Sequence, residues 1–476
     1  MTKILHVSAE CYPVAKVGGL ADVVGSLPKY QETSGITSQV IMPYYKKDFT
    51  KKKSFSEIKT GQIALGDVSY PYKILEAKKS LLGFTLFLVK IETLTDREEV
   101  YGYEDDTERF MAFQKVVADF ILGSKTKPDV VHCHDHHTGL IPFFISRCHK
   151  YEVLKNIPTV LTIHNAQYQG NFSFDKLYYF PEYNLMDSGY LEWNQQINPL
   201  ASGIKCAWKV TTVSPSYMKE LQVHANGLEW LLNHESNKAL GILNGVDPDY
   251  WNPKTDKFLK ENYNLQTVAK GRAENKNWIC KEFNLEPELP LVAFIGRFVY
   301  EKGSDLLPEV IEKVFGEFNL NVNLLILGSG NQETTDHLNW LRDKYKGKYN
   351  DYIGYNEELS HIIYAGADFL LMPSRVEPCG LNQMYAMRYG MIPIVSKTGG
   401  LIDTITDFDE NEDGFGITIN EVNTHEISFG IQRAVDVYNN TSFFKKKRKQ
   451  IMKIDNSWDK SAKQYIQLYE SLTTKQ

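Results

Sequence analysis

One carboxylate in the C-terminal half of the chain lies in a sequence context that is typical of a ligand site in an α/β fold. Glu377 follows the apolar run 367–372, and Pro378 and Gly380 come directly after it. In α/β folds, ligands bind where a buried strand delivers the chain to a loop and then to a helix. We expect Gly380 to Asn382 to form the first turn of this helix, where free N–H groups suit an anion. The alternative is that Glu377 only caps the helix.

Two cations stand after another apolar run, 291–296. Arg297 and Lys302 belong to the loop that we expect after this strand. A diphosphate carries about two negative charges, which Arg compensates as a planar fork and Lys as a point charge. Both side chains could instead be ordinary surface cations.

A third group of residues lies near the N-terminus. Lys16 precedes the glycine pair Gly18 and Gly19, between a predicted strand at 4–10 and a helix. A strand, a glycine loop and a helix start form a phosphate-binding geometry, but the dinucleotide pattern G-x-G-x-x-G is absent. Glycines before a helix can also serve tight packing alone. Lys16 favours an anionic ligand, because its charge and the loop N–H groups can converge on one anion.

Asp135 and His164 stand at the polar ends of two further predicted strands, 129–134 and 160–163. The carboxyl ends of parallel strands lie along one edge of a sheet. We therefore expect Lys16, Asp135 and His164 to share a crevice despite their separation in the chain.

The histidines around Asp135 raise the question of a metal. His132 and His134 lie on one side of a strand, but no second cluster in the sequence supplies the remaining ligands. The two Asp-x-Asp pairs, 247/249 and 407/409, are interpreted as turn or surface features. We predict no metal and no other cofactor.

The strands and helices that must hold these residues alternate along the chain in two series. The first series ends near residue 250, a polar connector follows at 256–277, and the second series begins at 291. Alternation of this kind predicts two parallel-sheet domains. We place the N-terminal Rossmann-like domain at 1–250 and a second Rossmann-like domain at 251–455, with a C-terminal helix, 456–476, that packs back on the first domain.

The overall composition excludes several classes of protein. A net charge of -6 over 476 residues argues against a nucleic-acid binder, which needs a basic excess. No apolar run approaches the ~20 residues of a membrane span, and no signal peptide precedes the first strand. The six cysteines are scattered and show no metal or disulfide pattern. We predict a cytoplasmic protein that binds neither nucleic acid nor membrane.

Seven sequence blocks together resemble the motif set of bacterial glycogen synthases and plant starch synthases, in the order found in that family. The blocks are Lys16–Val23, His132–Asp135, Ile163–Gly170, Asn244–Asp247, Gly296–Gly303, Glu377–Leu381 and Thr398–Leu401. They span almost the whole chain.

The resemblance implies a GT-B fold, in which two Rossmann-like parallel-sheet domains face each other across a deep cleft. It also implies a metal-independent, retaining transfer of glucose from a nucleotide-glucose, with ADP-glucose favoured, to the non-reducing end of an α-1,4-glucan. UDP-glucose is the alternative donor. A catalytically weak glucan-binding homologue is the alternative function, and the missing fingerprint disfavours a dehydrogenase.

The resemblance further implies a role for each site residue. In the N-terminal half, Asp135 and His164 line the reaction site, and the main-chain carbonyl of His164 stabilises positive charge at the anomeric carbon. In the C-terminal half, Glu377 holds hydroxyls of the donor glucose, and Arg297 and Lys302 hold the diphosphate. Tyr355 lies against the base. The other expected donor-binding residues are Lys16, Gly18, Gly19, Asn244, Gly380, Leu381, Thr398 and Gly399.

The chain departs from the family pattern at a few positions. His136 stands where Trp is usual, Val376 where Phe is usual and Asn382 where Thr is common, which affects acceptor stacking and fine donor contacts. Tyr385 replaces the second carboxylate of the Glu-x7-Glu pair that many other GT-B enzymes carry. This replacement favours a glucan synthase over sucrose-directed or lipid-directed relatives.

Overall fold

The computed structural model describes residues 2–410 and 412–473. The chain divides into two compact units, one formed by Met1–Asn244 with Trp458–Gln476 and the other by Gly245–Ser457. The boundary predicted from the sequence stands at 250/251. The two units are described in turn below.

A large twisted sheet forms the centre of the first unit. The strands of this unit are β1 (Lys3–Val7), β2 (Thr37–Pro43), β3 (Ser56–Leu65), β4 (Val68–Ala77), β5 (Thr85–Ile91), β6 (Val130–His134), β7 (Thr159–Ile163), β8 (Glu192–Trp193), β9 (Gln196–Ile197), β10 (Lys209–Thr212) and β11 (Ala239–Gly241). The sheet order is β11-β10-β7-β6-β1-β2-β5-β4-β3, and β8 and β9 form a separate hairpin. Pairing is parallel from β11 to β5, and β4 and β3 add an antiparallel edge.

Helices cover the faces of this sheet. They are α1 (Gly19–Thr33), α2 (Asp48–Lys52), α3 (Asp106–Gly123), α4 (Ile141–Arg147), α5 (Pro199–Cys206), α6 (Pro215–Leu221) and α7 (Glu229–His234). Because both faces are covered, the central strands are buried along their whole length, as β6 and β7 show.

The second unit repeats this plan with parallel strands alone. Its strands are β12 (Leu291–Phe298), β13 (Asn323–Gly330), β14 (Tyr349–Ile353), β15 (Phe369–Met372), β16 (Ile392–Ser396) and β17 (Ile417–Ile419), in the order β14-β13-β12-β15-β16-β17. Its helices are α8 (Val268–Glu282), α9 (Leu307–Phe315), α10 (Gln332–Lys344), α11 (Glu357–Gly366), α12 (Asn382–Tyr389), α13 (Gly399–Thr404), α14 (Thr424–Asn439) and α15 (Thr441–Ile451).

A buried carboxylate fixes the start of β15, the strand that leads to Glu377. Asp368 is 3% exposed and accepts bonds from Lys276 and Arg448, each at 2.8 Å. Burial acts to raise the pKa of Asp368, but the two cations outweigh it, and the pKa lies below its usual value. Arg448 comes from the basic run 445–449, and a run of this composition predicts a solvated helix face. This prediction is wrong for Arg448 and for Lys447, because both pack inward.

The last helix, α16 (Trp458–Thr473), belongs to the first unit. Its apolar side is buried against β1, β6, β7 and α1, on the face of the sheet that carries Ile4 and Val130. Trp458, Tyr465 and Tyr469 provide the largest buried surfaces of this contact. The helix therefore completes the core of the first unit.

Some elements differ from the predictions. The antiparallel strand β3 was missed, and helix α2 forms within the lysine-rich segment 46–53, whose charge pattern indicates only a solvated surface. Strand β12 continues through Arg297, which we had placed in the loop. Helix α12 begins at Asn382, because Gly380 adopts a left-handed conformation with φ +72°.

Two further observations concern the environment of the chain. None of the helices formed by residues 2–410 and 412–473 is both long and apolar enough to cross a bilayer. All six cysteines carry free thiols, and five of them are buried.

We expect Trp458→Ala to destabilise the first unit by about 3–5 kcal/mol, because it leaves a cavity in a closely packed cluster. Trp458 is 2% exposed. The measurement is urea denaturation. Trp208→Ala is the matched control in the same unit, since Trp208 is 46% exposed and its loss should cost about 0.5 kcal/mol or less. Equal losses in the two variants would contradict the packing of α16 described above.

Candidate active site

Glu377 and Lys302 form an ion pair in the second unit. The distance from Lys302 Nζ to Glu377 Oε2 is 2.6 Å, and the Ser374 hydroxyl donates to the same oxygen at 3.0 Å. The Glu377 side chain is 8% exposed and that of Lys302 is 26% exposed. The carboxylate is thus held in place by a cation and a hydroxyl, and it is more than a helix cap.

Backbone hydrogen bonds hold the Glu377 loop between two other segments. The N–H groups of Arg375 and Val376 donate to the Glu301 carbonyl at 2.8 and 3.1 Å. On the other side, the Gly400 N–H donates to the Glu377 carbonyl at 3.0 Å. The loop therefore lies between the segment that carries Lys302 and the start of α13.

Two close backbone approaches around the Glu377 loop require glycine. Gly303 has φ +66°, and a Cβ there would lie 2.1 Å from the carbonyl oxygen of Pro373. Gly399 has φ +44°, and its Cβ would lie 2.0 Å from the carbonyl oxygen of Glu377. Any side chain would push the loops apart and displace Glu377. The predicted donor-binding residue Gly399 thus has a packing role.

The other predicted residues of this unit differ in their exposure. Arg297, at the end of β12, has an exposed side chain, and Tyr355, after β14, is 82% exposed. Gly380 is buried and Leu381 half-buried at the start of α12. Thr398 donates its hydroxyl to the Arg375 carbonyl at 3.3 Å, so it also holds the Glu377 loop.

Arg375 stabilises this loop, and its role was not predicted. Its guanidinium donates to both carboxylate oxygens of Asp305 at 2.6 and 2.9 Å, and it lies 3.9 Å from the centre of the Tyr300 ring. Tyr385, at the position of the missing second carboxylate, instead stacks on Trp251 with the ring centres 3.8 Å apart.

In the first unit, Asp135 and His164 are in direct contact. The His164 N–H donates to Asp135 Oδ1 at 2.7 Å, and Asp135 itself has φ +58°. Burial raises the pKa of Asp135 to about 7, against the opposing effect of this hydrogen bond. The predicted neighbourhood of these two residues is present, because β6 and β7 are adjacent in the sheet.

Glu10 organises the Lys16 loop, and the sequence interpretation missed it. Its Oε2 accepts the N–H groups of Val17 and Gly18 at 2.5 and 3.1 Å, and its Oε1 accepts the Tyr101 hydroxyl at 2.7 Å. Burial raises the pKa of Glu10, and these hydrogen bonds oppose the shift. The available signal was its place just after β1, which matches that of Asp135 after β6.

Lys16 and the glycine pair lie at the N-terminus of α1. Lys16 pairs with Asp22 at 2.7 Å, and no hydrogen bond or ion pair within the described residues joins it to Asp135 or His164. A Cβ on Gly18 or Gly19 would meet no heavy atom within 4 Å. Packing therefore does not require these glycines, and the space in front of them is open.

Asn244 is the last residue of the first unit before the chain crosses to the second. It is 5% exposed, and its carboxamide oxygen is buried without a hydrogen-bond partner among the residues described. Such a group is costly unless a ligand or water satisfies it.

Three buried histidines form the arrangement closest to a metal site. His6 joins His132 and His134, with ligand atoms within 4.8 Å of one another, because β1 pairs with β6. Every ring nitrogen of the three is already within hydrogen-bond distance of a protein group. A metal would have to break these contacts, so the cluster fits a hydrogen-bond network better than a metal centre.

Comparisons with known proteins match the whole chain. Residues 3–234 match the family described as starch synthase catalytic domain, and residues 276–453 match glycosyl transferases group 1. A glycogen synthase of Flavobacterium johnsoniae is 51% identical over 467 residues, covering 98% of both chains. A glycogen synthase of Bacillus cereus is 36% identical over 480 residues, covering 98% of this chain and 99% of that protein.

A solved structure agrees with these matches. The catalytic domain of starch synthase IV from Arabidopsis thaliana, bound to ADP and acarbose, is 31% identical with a TM-score of 0.88, and all of both chains is covered. Together with these matches, the two parallel-sheet units define a glycosyltransferase of the GT-B fold. Within that class, the chain belongs to the family of bacterial glycogen synthases and starch synthases.

We expect Asp135→Asn to stabilise the protein above pH 7 while lowering its activity. Asn retains the oxygen that accepts the His164 N–H and tolerates a left-handed φ. Because the pKa of Asp135 is raised to about 7, the folded state carries the full cost of its buried charge above that pH. The advantage of Asn should shrink as pH falls from 7 to the ordinary Asp pKa of about 4, and vanish below it.

Melting temperatures of the parent and the variant from pH 4 to 8 measure this difference. Asp129→Asn is the control, because Asp129 is exposed. A constant difference between Asp135→Asn and the parent across this range would contradict the burial of an ionised carboxylate.

Proposed function

We propose that the enzyme transfers glucose, with retention, from ADP-glucose to the non-reducing 4-hydroxyl of an α-1,4-glucan. The relatives that are similar over nearly the full chain are glycogen synthases, and the starch synthase structure holds ADP and acarbose. We also infer that it acts in the cytoplasm, which suits the six free thiols.

The observation that supports this function best is the ion pair of Glu377 with Lys302. A carboxylate that accepts hydroxyl hydrogens and a cation that binds phosphate lie 2.6 Å apart at the junction of three backbone segments. A nucleotide-sugar presents hydroxyls and a diphosphate next to each other. Glu377 thus holds the donor glucose, and Lys302 with Arg297 compensates the diphosphate without a metal ion.

Residues of each unit take the remaining roles. Lys16, Gly18 and Gly19 meet the donor at the open N-terminus of α1. The N–H groups of Gly380 and Leu381 lie near the phosphates. Tyr355 lies against the base, and Asn244 and Thr398 belong to the donor site.

The chemical step breaks the bond between the anomeric carbon and the diphosphate oxygen and forms a bond to the acceptor 4-oxygen. The acceptor proton passes to the leaving phosphate, which departs on the same face of the sugar. The main-chain carbonyl of His164 stabilises the oxocarbenium-like charge, and Arg297 and Lys302 stabilise the leaving group.

A carboxylate nucleophile is the other route to retention, and Glu377 and Asp135 are the candidates for it. Glu377 is already paired with Lys302, and Asp135 accepts the His164 N–H. Both carboxylates are therefore held by other groups, which supports attack from the same face.

Incubation with labelled ADP-glucose or UDP-glucose and glycogen tests the proposal. We expect transfer chiefly from ADP-glucose, and a fall on the order of a hundredfold or more in Lys302→Ala, which loses a charged transition-state contact. Lys346→Ala, a surface lysine of the same unit, is the control and should retain full activity.

The possible outcomes distinguish the candidate functions. Preferred transfer from UDP-glucose would change the donor assignment alone. Glycogen binding without transfer from either donor would indicate a glucan-binding homologue and overturn the enzymatic proposal. A loss below tenfold in Lys302→Ala would contradict its role at the diphosphate.

A further inference from the structure

A line of buried hydrogen bonds leads from α1 to His164. Gln31 Oε1 lies 2.9 Å from His6 Nε2, His6 Nδ1 lies 3.1 Å from His134 Nε2, and His134 Nδ1 lies 3.0 Å from His164 Nε2. Gln31, His6 and His134 are fully buried, and His164 is 9% exposed. The line crosses the adjacent strands β1 and β6 and ends just after β7.

The hydrogen bonds of Gln31 determine which atom donates in each bond of the line. The Ser38 hydroxyl donates to Gln31 Oε1 at 2.7 Å, and the Gln31 side-chain amide donates to the Tyr469 hydroxyl at 3.2 Å. With its oxygen toward His6, Gln31 accepts the Nε2–H of His6. His6 Nδ1 must then accept from His134, and His134 Nδ1 must accept from His164.

These constraints leave one tautomer for His164. Its Nε2 carries the proton, and its Nδ1 is an acceptor. None of the described residues forms a hydrogen bond with this Nδ1. Nor is the Nδ1 one of the fully enclosed side-chain nitrogens without a partner, so it is open to a ligand. Burial lowers the pKa of His164 to about 3 and that of His6 to about 4, which keeps both rings neutral.

A second line starts at Tyr469 and does not reach His164. The Tyr469 hydroxyl lies 2.7 Å from His132 Nδ1, and His132 Nε2 lies 2.6 Å from the Thr162 hydroxyl. Thr162 in turn lies 2.6 Å from Thr211. The Tyr469 hydroxyl also accepts the Gln31 amide, but Thr211, at the far end of this line, bonds to no member of the first line within the described residues. Thr211 is equally buried on the same sheet, so it serves as the internal control.

We propose that Gln31, His6 and His134 are positioning residues that hold His164 as its Nε2–H tautomer and aim a bare Nδ1 at a hydroxyl of the bound sugar. This inference rests on the proposed function, because the sugar is the ligand. His164 would then use its main-chain carbonyl for the developing charge and its ring to orient the substrate. A Nδ1–H tautomer would offer a donor where an acceptor is needed.

Nitrogen NMR of the parent protein with ¹⁵N-labelled histidine tests the tautomer without any assay of transfer. Two-bond correlations from the ring carbon hydrogens show which nitrogen carries the proton, and the His164 signals are those lost in His164→Asn. We expect the Nε2–H form from pH 6 to 8. A Nδ1–H form, or a protonated ring, would overturn the proposal even if transfer of glucose is confirmed.

Kinetics of two variants test the positioning role. Gln31→Met removes the acceptor at the end of the line, and we expect about a tenfold fall in kcat together with mixed His164 tautomers. Thr211→Val removes a hydroxyl from the far end of the second line and should change kcat less than about twofold, with the tautomer unchanged. Equal effects of the two variants, or an unchanged tautomer in Gln31→Met, would contradict the proposal.

Discussion

The ion pair between Lys302 and Glu377 is the interaction on which the second unit's candidate site depends. A carboxylate that is 8% exposed loses most of its hydration, and its neighbours must compensate for that loss. Lys302 and Ser374 do so directly, and the backbone bonds from Glu301 and Gly400 fix the loop that carries the carboxylate. Removing Lys302 would leave the buried charge of Glu377 uncompensated, whereas Lys302, whose side chain is 26% exposed, keeps contact with solvent when Glu377 is neutralised.

Much of this architecture follows from the sequence, because buried parallel strands are continuous apolar runs. The alternation of strands and helices and the two-unit plan were predicted on that basis, whereas the GT-B fold was predicted from the resemblance of the motifs to those of glycogen and starch synthases. The comparisons confirm the fold and the family. Strand β3 was missed because it is an exposed edge strand with mostly polar residues. Arg297 was misplaced because the apolar run stops at Gly296, whereas the pairing of β12 with β13 continues to Phe298.

The contacts within the site were less predictable than the elements. Sheet adjacency correctly brought Asp135 beside His164, but pairs distant in sequence, such as Lys302 with Glu377, leave no local pattern. Glu10 was overlooked because its ligands are backbone N–H groups, which every residue carries. His6 was overlooked as a partner of the other histidines because only the order of the strands places it there. The roles assigned to the donor-binding residues stay predictions.

The central claim is that Glu377 balances Lys302 and orients glucose, whereas Lys302 and Arg297 bind phosphate. Calorimetric titration of ADP into the parent and Glu377→Gln tests it most directly, because ADP lacks the sugar that Glu377 is proposed to hold. The amide is neutral, so Lys302 loses its competing partner and becomes more available to phosphate. The account predicts ADP affinity at least equal to that of the parent, in a variant whose transfer activity falls. An ADP affinity that declines in step with turnover would contradict it.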